Sequence, residues 1–132
     1  MSAFDRLHSA VQYHVVNSLG WSSLRPLQEE AIEPLLAGDH ALLIAPTASG
    51  KTEAAILPVL SRMLAEDWRG LSVLYVCPLK ALLNDLANRL GRYAGYVGRR
   101  VQLWHGDVSQ REKAHVPSEP PDILLTTPES IE

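Results

Sequence analysis

Ala45-Pro46-Thr47-Ala48-Ser49-Gly50-Lys51-Thr52 lies between an apolar run, Ala41-Leu42-Leu43-Ile44-Ala45, and a stretch of helical periodicity that begins at Lys51. It matches the pattern G-x-x-x-x-G-K-[ST], with alanine in place of the first glycine. A loop that runs straight into a helix turns several backbone N–H groups into one concave space, which suits a phosphate. Thr47, Ala48 and Ser49 form the body of that loop, and Gly50 lets the backbone approach the phosphates closely. Lys51 is placed to reach the β- and γ-phosphates of a nucleotide, and the hydroxyl of Thr52 to ligate Mg2+. Ala48 is the uncomfortable member: if its position needs a positive φ, alanine costs about 1 kcal/mol there. The plain alternative is a strand-turn-helix carrying a chance Gly-Lys-Thr.

Outward from the loop, helical spacing predicts helices over Asp5–Leu19 and Pro26–Leu36, with Pro26 suited to a first turn and Gly38-Asp39 a turn behind it. His40–Ala45 reads as a buried strand, Lys51–Ala65 as a helix and Leu71–Cys77 as a second buried strand. Leu79–Tyr93 reads as a helix, Val101–Trp104 as a strand, Ser109–His115 as a short polar helix and Ile123–Thr126 as a fourth strand. Pro117, Pro120 and Pro121 mark a loop before that last strand. Strands that alternate with helices, and that are continuous apolar runs, indicate an α/β fold: a parallel sheet with helices on both faces. Residues 1–38 are expected to form N-terminal helices and residues 39–132 a phosphate-loop α/β core. Ligands of such sheets gather at the carboxyl ends of the strands.

The 132 residues suffice for one core, and 46% apolar with 20% charged residues is ordinary globular composition. No apolar run approaches the length that spans a bilayer, and the N-terminus shows no signal pattern, so a cytoplasmic protein without a membrane partner is the expectation. The single cysteine excludes an internal disulfide framework, and Cys77, behind Val73-Leu74-Tyr75-Val76, is expected to be a buried structural thiol. A formal net charge of −3 argues against a strongly basic nucleic-acid binder. Yet the stretch from Lys80 to Lys113 holds seven basic and three acidic residues and carries +4, enough to make one face basic.

Further blocks occur in a telling order. Trp21-Ser22-Ser23-Leu24-Arg25-Pro26-Leu27-Gln28 precedes the phosphate loop, and Pro78-Leu79-Lys80-Ala81-Leu82 follows the expected second strand. Trp104-His105-Gly106-Asp107 follows the third, and Thr126-Thr127-Pro128-Glu129-Ser130 the fourth. Together with the loop they resemble the motifs of superfamily 2 DEAD/DEAH-type helicases, most nearly the large helicase-related (Lhr) group, over almost the whole span from Trp21 to Ser130. The resemblance implies the front part of a RecA-like P-loop NTPase domain that uses ATP and Mg2+. It implies a track of single-stranded or partly duplex DNA or RNA, and a second RecA-like domain in the full-length protein.

By the same resemblance Gln28 reads the edge of adenine, and Trp21 and Arg25 stack near the base; packing in the core for Trp21 and a helix surface for Gln28 are the alternatives. Pro78 and Lys80 touch the nucleic-acid backbone, or Lys80 is a solvated lysine at a helix start. His105 and Gly106 serve the nucleic acid or a nearby turn. Thr127 and the helix that Pro128 opens bind a backbone phosphate, or form a capped helix and nothing more.

The family's Asp-Glu-x-His box, whose acids hold Mg2+ and polarise the attacking water, does not occur in the sequence. No catalytic residue is therefore assigned, and the chain is expected to be a fragment of a longer helicase that binds nucleotide without turning it over efficiently. The alternatives are a non-catalytic nucleotide- or nucleic-acid-binding module and a P-loop ATPase of another class.

Overall fold

A computed structural model describes residues 2–46, 48–105 and 119–131. The chain divides into two compact units, Met1–Trp68 and Arg69–Glu132.

The first unit is helical. A 3-10 turn, Ala3–Arg6, leads to α1 (Ser9–Asn17), followed by α2 (Pro26–Leu36) and α3 (Lys51–Ala65). The helix expected over Asp5–Leu19 is thus broken at Leu7, which has an extended backbone and is buried. His8 starts α1 by accepting the Ala10 N–H at its Nδ1, 3.1 Å away, while its own N–H donates to the Ser61 hydroxyl on α3. α2 and α3 begin and end where the sequence predicts. Pro26 fits the first turn of α2 because its missing N–H is one that no helix start can satisfy internally. α3 packs on α1 and α2. Val11, Val15, Ala31, Ile32, Ala54, Ile56, Leu57, Leu60 and Met63 fill the space between them. Each large side chain buried there is worth roughly 1.5–3 kcal/mol of gross transfer free energy.

The segment His40–Ala45 is a correction. It forms no strand, and Leu42 and Ile44 are 83% and 80% exposed. A strand exists only through its ladder, and among the described residues no ladder includes this segment. The phosphate loop accordingly follows an unpaired run.

The second unit holds a parallel sheet of three strands, β1 (Val73–Val76), β2 (Val101–Trp104) and β3 (Ile123–Thr126), in the order β1-β3-β2. Val73 and Val101 both align with Ile123, and Val76 and Trp104 both align with Thr126, so the three carboxyl ends are level. β3 is central and buried throughout. β1, expected to be buried on both faces, lies at an edge, and Leu74 and Val76 are exposed. α4 (Lys80–Tyr96) packs on β2 and β3, with Leu83, Leu90, Tyr93 and Ala94 buried. Leu79 and Leu82, expected on its apolar face, are exposed. Cys77 is buried, with its sulfur 3.7 Å from the Leu79 carbonyl oxygen.

The amino ends of β2 and β3 are held by charge. Arg99, 8% exposed, pairs with Asp122 at 3.2 Å, and the same carboxylate accepts the Arg100 N–H at 2.9 Å. The Arg100 guanidinium donates to the Glu119 and Pro120 carbonyls. The expected helix Ser109–His115 and Pro117 lie outside the described residues. At Pro128–Ile131 the chain makes a 3-10 turn. No described helix is long and apolar enough to cross a membrane.

Candidate nucleotide and nucleic-acid sites

In the first unit the phosphate loop meets the start of α2. Ala48 has φ +65° and Gly50 φ +76°, so both lie in the left-handed region. The strain foreseen at Ala48 is present. At Gly50 a side chain is excluded twice over, by the left-handed backbone and because an added Cβ would collide with the Gln28 Nε2.

Arg25 occupies the N-cap of α2 and donates from its guanidinium to the Ala48 carbonyl. Having no acceptor, it cannot cap the helix N–H groups with its side chain. Gln28 makes the reverse contact instead: its Oε1 accepts the Arg25 N–H at 2.9 Å, and its Nε2 donates to the Gly50 carbonyl at 3.3 Å. Gln28 is 3% exposed, so it is no surface residue. Its amide nevertheless has one N–H and one lone pair in hand after these two bonds.

Lys51 opens α3 and turns back, its Nζ donating to the Ala45 carbonyl at 2.8 Å. Thr52 is the second residue of the helix and half-buried, as Ser49 is ahead of it. Thr47 lies outside the described residues. Glu53, in the first turn, is buried and engaged. Trp21 is half-buried, and its N–H donates to the Val15 carbonyl. With Gly20, Ser22, Ser23, Arg25 and Gln28 it lines a cavity of about 330 Å³, a size found among small-molecule sites. A more apolar cavity of about 420 Å³ includes Phe4, Val16, Trp21 and Leu24; neither cavity has a phosphate-loop residue in its wall.

The structure therefore brings Trp21, Arg25 and Gln28 to one cavity, and ties two of them to the loop. What the sequence could not show is the acceptor side of that arrangement, the carbonyls of Ala45, Ala48 and Gly50. Backbone oxygens carry no residue-type signal.

In the second unit the other candidates gather at the level carboxyl ends of the strands. Pro78 and Lys80 follow β1 and are exposed, with Lys80 the first residue of α4. His105 follows β2 and is 8% exposed. Thr127 and Pro128 follow β3; Pro128 is exposed. Thr127 is 1% exposed, and its hydroxyl lies 3.0 Å from that of Ser130. The ladder continues one step beyond β1, where the Cys77 N–H donates to the Thr126 carbonyl. The Thr126 hydroxyl donates to the Trp104 carbonyl, tying β3 to β2 at the same end. Gly106 lies outside the described residues. Among the described residues no group of His, Cys, Asp and Glu could hold a metal by itself.

A phosphate loop at a helix start and a parallel sheet with candidate residues at its carboxyl ends define the class: a RecA-like P-loop domain. The sequence model of the DEAD/DEAH box helicases matches residues 25–132, and the chain belongs to that family. Among its relatives is the Lhr helicase/uracil glycosylase of Escherichia coli, 39% identical over 114 residues that cover 70% of this chain and 7% of that protein. The ATP-dependent helicase Lhr-Core protein 2 of Thermococcus barophilus is 33% identical over 128 residues, 84% of this chain and 15% of that one. The chain thus spans only a small part of these relatives. Among solved structures, the Mycobacterium smegmatis helicase Lhr bound to single-stranded DNA and AMP-PNP superposes with a TM-score of 0.82 at 31% identity, covering 99% of this chain and 18% of that one. An RNA helicase of Chaetomium thermophilum bound to ADP gives 0.81 at 26% identity, over 96% and 31% of the two chains.

Proposed function

We propose that the chain is the ATP-binding and nucleic-acid-binding part of an ATP-dependent DNA or RNA helicase or translocase. The observation that carries it is the junction of Arg25 and Gln28 with the loop Ala48–Lys51, which sets a base-sized cavity beside a phosphate cradle. Lys51 would leave the Ala45 carbonyl for the β- and γ-phosphates. Its exposure makes that exchange cheap, because solvent can take over either partner. The Thr52 hydroxyl fits a Mg2+ held otherwise by phosphate oxygens and water, since no carboxylate cluster stands by among the described residues. The metal would neutralise charge on the phosphates. Relatives solved with AMP-PNP and with ADP support the assignment.

The strand track is assigned to the level carboxyl ends of β1, β2 and β3. Pro78, Lys80 and Pro128 offer exposed contacts there. His105 and Thr127 are buried and would act by shaping the turns that present backbone N–H groups. The relative bound to single-stranded DNA supports a nucleic-acid partner. A second RecA-like domain and an acid box belong to the longer protein on this proposal, and residues 1–132 bind nucleotide without efficient turnover.

The test is equilibrium binding of a fluorescent ADP analogue with Mg2+ to the chain and to Lys51→Ala, together with ATPase assays on both. Saturable binding lost in Lys51→Ala, with no turnover above background, is expected. Turnover at enzyme rates by residues 1–132, or equal binding by both proteins, refutes the assignment.

A further inference from the structure

We infer that Arg25 is a positioning residue for the phosphate loop, acting through the Ala48 carbonyl; the inference rests on the nucleotide-site assignment above. Ala48 and Asp67 are the two non-glycine residues of positive φ among the described ones. Aspartate can support such a backbone through its own side chain, but alanine has nothing to offer, so its surroundings must hold it.

Two tethers do so, both from the first turn of α2. Arg25 donates to the Ala48 carbonyl and Gln28 to the Gly50 carbonyl. The platform is itself fixed, by Pro26 at the helix start and by the Gln28 contact to the Arg25 N–H. A trans peptide points its C=O and N–H in opposite directions. Drawing the Ala48 carbonyl toward Arg25 therefore aims the Ser49 N–H away from it. Drawing the Gly50 carbonyl toward Gln28 does the same for the Lys51 N–H. Alternate N–H groups of the loop are turned to one side, as a phosphate cradle requires. The family resemblance gave Arg25 a place near the base; the geometry adds a role in which no base takes part.

A ligand without a base separates the two roles. Binding of Mg-tripolyphosphate and of MgATP is measured for the chain and for Arg25→Ala, Arg25→Lys and Ala48→Gly, alone and combined. Arg25 is exposed, so its replacement leaves the core intact, and circular dichroism checks this. Loss of one charge-assisted hydrogen bond should weaken tripolyphosphate about tenfold in Arg25→Ala. Arg25→Lys, which keeps a cationic donor, should recover most of that. The loss should shrink severalfold in the Ala48→Gly background, where the left-handed turn needs no tether. Unchanged tripolyphosphate affinity with weakened ATP binding would place Arg25 on the base alone and overturn the inference. An equal loss in both backgrounds would overturn it as well. If the unaltered chain bound neither ligand, the nucleotide-site assignment itself would fall, and this inference with it.

Discussion

Gly50→Ala tests the loop most severely. The new side chain must hold φ near +76°, which costs an L-residue about 1–2 kcal/mol. Its Cβ also collides with the Gln28 Nε2, and moving that amide gives up the 3.3 Å bond to the Gly50 carbonyl, worth about 0.5–1.5 kcal/mol. Against this, alanine restricts the unfolded chain and returns about 0.4–1 kcal/mol. The balance is a loss of about 2 kcal/mol. For a unit of this size that lowers the melting temperature by roughly 8–16 °C. Thermal unfolding followed by circular dichroism reads it directly. Repeating Gly50→Ala in a Gln28→Ala background removes the collision and leaves the backbone strain, so the penalty should fall by about 1 kcal/mol. If Gly50→Ala melts within about 2 °C of the unaltered chain, the left-handed turn at the loop is not a feature of the folded protein.

Asp122→Ala should destabilise the second unit by about 1–3 kcal/mol, because it removes one partner of the buried Arg99 guanidinium and the acceptor of the Arg100 N–H; chemical denaturation measures it. Arg62 hydrogen-bonds Glu66 at 2.7 Å and holds its carboxyl below the ordinary glutamate range. A depressed folded pKa adds stability above the unfolded value and loses it as pH falls through the folded one. Glu66→Gln should therefore lower the melting temperature near neutrality, with the difference closing in acid; a constant gap at all pH values would contradict the pairing. Lys80→Ala should reduce the salt slope of single-strand binding by about 0.7, read from titrations of labelled DNA and RNA at several salt concentrations; an unchanged slope removes Lys80 from the contacts.

What was legible in the sequence was local. Pro26 fixes the start of α2, the Gly50-Lys51 junction that of α3, and the run Ile123-Leu124-Leu125-Thr126 marks β3 to the residue. The positive φ raised as a condition at Ala48 is met. What failed depended on neighbours distant in the chain. Leu42 and Ile44 have the composition of a buried strand, but a strand needs a ladder partner, and none of the described residues provides one. Leu79 and Leu82 lie in the same apolar pattern as Leu83 and Leu90, yet only the latter two are buried, a difference the spacing alone does not show. His8 starts α1 as its N-cap, a role its residue type seldom announces. The tether from Arg25 to Ala48 spans 23 residues and ends on a backbone oxygen.

That invisibility bears on how the proposed site selects its base. A free glutamine amide has two N–H donors and an oxygen with two lone pairs. Here one donor is committed to the Gly50 carbonyl and one lone pair to the Arg25 N–H. One donor and one acceptor remain. Adenine shows such a complementary pair on one edge, an acceptor at N7 and a donor at the 6-amino group. Guanine shows two acceptors at N7 and O6, and would need both glutamine donors. A two-point contact to guanine would thus require breaking the bond that holds the loop, while a two-point contact to adenine would leave it in place. On the proposed assignment, base selection and phosphate-loop geometry would share one hydrogen bond, and the side chain that would read the base is the one that braces the cradle.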